Sequence, residues 1–215
     1  MDLQVWLAFL VASCVIAVSP GSGAVLSMSH GLSYGVRRTT ATIVGLQLGL
    51  AVILLVAGLG VGAVLTASAT AFTVIKVVGA CYLLWLGWRQ WRAPVAAAAA
   101  AEGDAEASVR EPDLTAPQRV LRGFLTNVTN PKGIVFMAAV LPQFIQPTRP
   151  LWLQLLVLLA TTVMVDVTVM HGYAWLAARL QNVLRSVRAR RAQNRVFGGV
   201  LMAMGAFLFM FKRSA

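Results

Sequence analysis

Six predominantly apolar stretches, each near the length a helix needs to cross a bilayer, dominate this chain. They run from about Val5 to Met28, Thr42 to Leu65, Phe72 to Trp88, Leu121 to Ile145, Trp152 to Ala177 and Val196 to Phe211. A spanning helix needs about 20 such residues. Inside hydrocarbon every backbone polar group must find a partner within the protein, which leaves helices or closed barrels. Runs this long are helical spans. The expected fold class is therefore all-α and polytopic in the membrane, one transmembrane domain over 1–215. Composition agrees: 59% of residues are hydrophobic and 12% are charged, against about 25% charged in soluble domains. Asp2, with no Lys or Arg beside it, is wrong for a signal peptide. The first run is expected to stay as a helix.

The net charge of +11 could suggest nucleic acid, but the basic residues sit between the apolar runs, where the positive-inside rule puts them. No nucleic-acid partner is expected. The segments after runs one, three and five hold thirteen Lys and Arg, from Arg37 and Arg38 to the arginines between 179 and 195. The other side holds three: Arg149, Lys212 and Arg213. That bias places the first set in the cytoplasm and both termini outside. Trp85, Trp88 and Trp91 beside Arg89 and Arg92 read as an interfacial anchor. Residues 93–118, rich in alanine, proline and acids, read as a flexible cytoplasmic linker between halves 1–92 and 119–215.

Three polar features interrupt the apolar runs. Asp166 is the only acid inside one; five others lie in the linker and Asp2 at the start. An embedded carboxyl costs on the order of 3 kcal/mol, and such groups often carry protons or ions. Asp166 is the candidate proton-coupling residue, with a static helix–helix contact as the bland alternative. Lys132 lies in Asn130-Pro131-Lys132-Gly133, and the alternative there is snorkelling to an interface. Proline removes a donor and disfavours helix before it. Ser19-Pro20-Gly21-Ser22-Gly23 interrupts the first run by the same chemistry. Pro20 and Pro131 are 111 residues apart, at comparable places in the two halves. Three spans per half require the second half to be inverted. Paired broken helices in inverted repeats mark transporter substrate sites. The expected architecture is six transmembrane helices as two inverted three-helix repeats, with helices 1 and 4 broken. Gln47 and Asp166 are 119 apart, as are Gly79 and Gly198, a weaker sign of the same symmetry. Half-helix starts suit a carboxylate and carbonyl-rich ends suit an ammonium.

His30 and His171 have no further ligand at metal spacing, so no metal site is expected. Cys14 and Cys81 form no CxxC pair and read as small buried residues. The glycines of the second run admit two readings, a homo-oligomer face or close packing within the monomer.

Ser-Pro-Gly-Ser-Gly (19–23), Gly-Leu-Gln-Leu-Gly-Leu (45–50), Gly-Ala-Cys-Tyr-Leu-Leu-Trp-Leu-Gly (79–87), Asn-Val-Thr-Asn-Pro-Lys-Gly (127–133), Leu-Pro-Gln-Phe (141–144) and Asp166 occur here in one order. In that order the chain resembles the LysE/RhtB family of bacterial amino-acid exporters, over nearly all its length except the linker. The resemblance implies a non-enzymatic inner-membrane exporter driven by the proton gradient and needing no cofactor. Its substrates would be small amino acids such as homoserine, its lactone, threonine, leucine or lysine. The substrate-binding candidates are Pro20, Gly21, Ser22, Gly23, Gln47, Asn127, Asn130, Pro131 and Lys132. Many members read Pro-Gly-Pro where this chain has Pro-Gly-Ser-Gly. Two other classes compete: a membrane thiol oxidoreductase using Cys14 and Cys81, and a metal-cation exporter, for which His, Cys and acid ligands are too few.

Overall fold

A computed structural model of the protein describes residues 1–19, 21–67, 69–92, 114–179 and 187–210. Pro20 and nearly all of the expected linker, with its five acids, lie outside these residues. All regular structure among the described residues is helical: α1 Leu3–Val18, α2 Ser22–Ala67, α3 Ala69–Trp91, α4 Ala116–Val128, α5 Pro131–Val140 with a 3₁₀ turn Leu141–Phe144, α6 Leu151–Arg179 and α7 Val187–Met210.

α2 is two arms rather than one rod. Gly35, at φ 74° and ψ 162°, is non-helical inside it. The arms fold back on each other, so that His30 meets Thr42 at 2.6 Å and Gly23 lies against Leu46. A left-handed φ suits glycine because there is no Cβ to clash. The segment 33–38, between the first two apolar runs, thus holds a one-residue reversal, with Arg37 and Arg38 exposed beside it.

The second break is shorter than the sequence suggests. Helix continues through Val128 and resumes at Pro131, leaving only Thr129 and Asn130 outside it. Asn130 is an N-cap whose side chain accepts from the Lys132 N–H at 3.1 Å. Pro131 takes the first helical position, where its missing N–H removes no bond. Asn-Pro therefore starts a helix here instead of prolonging the gap. α4 likewise starts at Ala116, before the expected Leu121, because Thr115 and Gln118 form a capping box.

The arms of α2 pack on α4 and α6; α3 packs on α7 and α5; α1 packs on α6. Glycine permits several of these crossings. A Cβ on Gly45 would strike the Val120 carbonyl, one on Gly123 the Thr42 carbonyl, and one on Gly31 the backbone of Ala174. Gly45, Gly49 and Gly123 thus pack helices within the monomer. Gly79 lies against Ala139 whereas Gly198 lies against Gly87, so these two glycines do not make matching contacts. Phe9, Leu54, Leu83, Phe136, Leu141 and Leu158 centre the main apolar core. The outside is apolar too: Leu3, Val11, Leu48, Leu59, Trp88 and Met164 are exposed. Helices apolar all round belong in lipid. That outside also corrects the reading of the cysteines. Cys14 and Cys81 are exposed rather than buried, since an apolar solvent does not penalise an outward thiol. By length and hydropathy, Ser22–Gly60 and Leu151–Arg179 are long enough to cross a bilayer, and Leu3–Val18 and Pro131–Phe144 are shorter apolar helices. Ser22–Gly60 includes the reversal at Gly35.

At one end of the bundle Asp2 accepts from Gln146 Nε2 at 2.6 Å and pairs with Arg149 at 2.5 Å. This ties the start of α1 to the turn before α6. Buried Gln154 holds the same turn, accepting from the Gln146 N–H at 2.8 Å and donating to the carbonyls of Gln146 and Arg149.

Candidate functional site

The two helix breaks meet. α1 ends at Val18, leaving its last carbonyls without helical donors. Lys132, in the first turn of α5, reaches across and donates from Nζ to the carbonyl of Ile16 at 3.1 Å and to that of Ser19. A cation at a helix C-terminus is favoured by the helix dipole as well as by these bonds. This is why a lysine rests inside the apolar bundle without snorkelling out. Gly21 lies beside it: a Cβ there would stand 3.4 Å from Lys132 Nζ and 3.7 Å from Asn130 Nδ2.

Asp166 projects from α6 into the same region and accepts from Gln47 Nε2, on the second arm of α2, at 2.6 Å. The pair 119 residues apart in sequence is thus in direct contact. Among the described residues, the buried Gln47 Oε1 has no hydrogen-bond partner. Asn127, at the end of α4, donates to the Leu46 carbonyl at 2.6 Å. Tyr173 OH donates to the Val18 carbonyl at 2.5 Å and fixes the other flank of the first break.

Several of these groups line a cavity of about 60 Å³. Gly21, Gly23, Asn127, Asn130, Lys132 and Asp166 all line it, and Gln47 stands behind Asp166. Two other candidates fall elsewhere. Ser22 is exposed and its hydroxyl faces the Thr126 carbonyl at 3.5 Å. Pro131 is exposed and acts by starting α5. Pro20 is outside the described residues. The sequence reading missed Ser13, Ser19 and Thr162, and the apolar wall that includes Leu50, Phe136 and Met170. Thr162 had a signal, because it precedes Asp166 by four residues and shares its helix face. Ser13 had none, since a lone serine among apolar residues reads as packing. His30 and His171 meet Thr42 and Thr40. Among the described residues no group of three or more His, Cys, Asp or Glu is placed to hold a metal ion.

The family model described as LysE type translocator matches residues 14–211. The chain belongs to that family. Proteins with similar sequences include a homoserine/homoserine lactone efflux protein of Salmonella typhimurium, 39% identical over 97% of each chain. An uncharacterized membrane protein of Vibrio cholerae is 45% identical over 97% of this chain and 98% of its own. A leucine efflux protein of Enterobacter sp. is 30% identical over 66% of this chain and 64% of its own. No solved structure matches. As a LysE type translocator the chain is a membrane protein of a transport family, and amino-acid efflux is the activity its named relatives carry.

Proposed function

We propose that this translocator exports small amino acids or their derivatives, of the homoserine, homoserine lactone and threonine type, in exchange for protons. The observation that carries the reading is the meeting of the two breaks: Lys132 from one lies on the carbonyls that the other leaves open, with Asp166 lining the same cavity. That set of groups suits a zwitterion. The substrate carboxylate takes Lys132 and the N–H groups at the starts of α2 and α5. Its ammonium takes Asp166, which Gln47 holds in place through its amide, and the carbonyls of Ile16 and Ser19 that Lys132 releases.

Asp166 carries the coupling proton. With substrate bound, the carboxylate faces the ammonium. When the substrate leaves, a proton from outside takes the place of its ammonium on Asp166, and Lys132 returns to the carbonyls of Ile16 and Ser19. The two halves are inverted three-helix repeats that rock against each other. α1 with the first arm of α2 forms a broken first span, and α4 with α5 a broken fourth. A cavity of about 60 Å³ is far below the ~300 Å³ at which small-molecule pockets begin. In this reading, substrate enters when the halves part. The protein sits in the bacterial inner membrane with both termini outside.

Export of labelled homoserine and threonine from loaded cells, with and without an uncoupler, tests the reading. Loss of export with the uncoupler is the expected result. Export of neither compound by the intact protein would overturn the substrate class. A leucine-type substrate is the second reading, favoured by the apolar wall of Leu46, Leu50, Phe136, Met137 and Met170. Competition by leucine stronger than by homoserine would establish it.

A further inference from the structure

Hydroxyl groups within these helices have a usual partner. Thr39, Thr161, Thr162 and Thr168 each donate to the carbonyl four residues earlier, at 2.7 to 2.9 Å. Helical Ser and Thr commonly do so. Ser13 does not. It stands well inside α1, is 1% exposed, and among the described residues its Oγ has no hydrogen-bond partner. A buried hydroxyl left so loses its hydrogen bond to water without replacement. Ser13 lines the cavity. Ser27 is also buried without a partner, but it does not line the cavity. Ser19 lies at the break, where Lys132 holds the charged end of the site.

We propose that Ser13 reads the far end of the substrate side chain, through a hydrogen bond to a hydroxyl or lactone oxygen. The inference rests on the amino-acid exporter reading above. Ser19 follows Ser13 by six positions, about 9 Å along the axis of α1. A short hydroxy amino acid with a hydrogen bond of about 2.8 Å at each end covers that span. Its carboxylate meets Lys132 and its hydroxyl meets Ser13. Ile16 and Phe136, both in the cavity wall, take the methylenes between. Thr162 also lines the cavity and has already given its proton to the Leu158 carbonyl, so it serves only as an acceptor. An alkyl side chain of equal length leaves the Ser13 hydroxyl unpaired. A site built to hydrogen-bond a hydroxyl rejects the analogue that lacks it.

The test uses the full-length protein in proteoliposomes loaded with labelled homoserine. Unlabelled homoserine competes in parallel with norvaline, which has a methyl where homoserine has its hydroxyl. Wild-type protein prefers homoserine. In Ser13→Ala, homoserine competes about tenfold less well while norvaline competes as before. Ser13→Thr keeps the wild-type preference. The ratio of the two competitors does not depend on how much protein folds. Where Ser13→Ala gives no folded protein, Ser13→Cys carries the same test, since a thiol is a far weaker donor. Homoserine export by the wild type with an unchanged preference in Ser13→Ala overturns the Ser13 assignment alone. Wild-type protein that moves neither amino acid overturns the exporter reading and this assignment with it.

Discussion

Lys132 is held in the apolar interior by carbonyl oxygens at the end of α1. Replacing it with Met keeps the length and removes the donor. The carbonyls of Ile16 and Ser19 then have no charged partner. We expect Lys132→Met to lose about 1.5–3 kcal/mol of stability, read as a lower unfolding midpoint in detergent, and to lose export. Asn127 is different in kind. Its amide is committed to the Leu46 carbonyl in a buried contact, so Asn127→Leu should cost about 1–3 kcal/mol even in protein with no substrate present. The exposed Asp2–Arg149 pair should matter little: Asp2→Ala is expected to change stability by less than about 1 kcal/mol. Lys132 and Asp166 stand out in the sequence because a charge in an apolar run has few explanations. Ser13 does not, since serine is tolerated in membrane helices and only the missing partner marks it.

The elements owe their register to small residues and caps. Gly45 and Gly123 sit where a Cβ would strike a carbonyl of the facing helix, whereas Gly60 has nothing within 4 Å of its Cβ position. Gly45→Ala should therefore destabilise by about 1–3 kcal/mol as the helices part. Gly60→Ala should be neutral or stabilise by up to about 1 kcal/mol through helix propensity. Thermal unfolding of the two variants side by side checks both. Proline and glycine announced the breaks, but not their extent. Asn130-Pro131 begins a helix as readily as it ends one, and only the cap geometry shows which. The reversal at Gly35 falls between the first two apolar runs. That it is a single residue depends on how closely the two arms pack, which the sequence does not display.

At the scale of the whole molecule, residues far apart in sequence converge on one small cavity. Gln47 with Asp166 and Lys132 with Ser19 join the first half to the second. An offset of 119 residues pointed to Gln47 and Asp166, and they touch. The same offset pointed to Gly79 and Gly198, and their surroundings differ. Spacing alone does not separate a contact across the halves from coincidence. The proposed topology makes its own prediction. Cysteines introduced singly at Asp2 and at Arg37 should react with an impermeant thiol reagent in intact cells only at the first position. The coupling step is tested by measuring homoserine movement through wild-type and Asp166→Asn protein in proteoliposomes, under a pH gradient and in gradient-free exchange. Asn can still accept from Gln47, so the site keeps its shape while losing the titrating group. The account predicts that Asp166→Asn loses gradient-driven accumulation, while exchange persists at weaker apparent affinity because the ammonium has lost its counter-charge. Accumulation that still follows the pH gradient in that variant would contradict it.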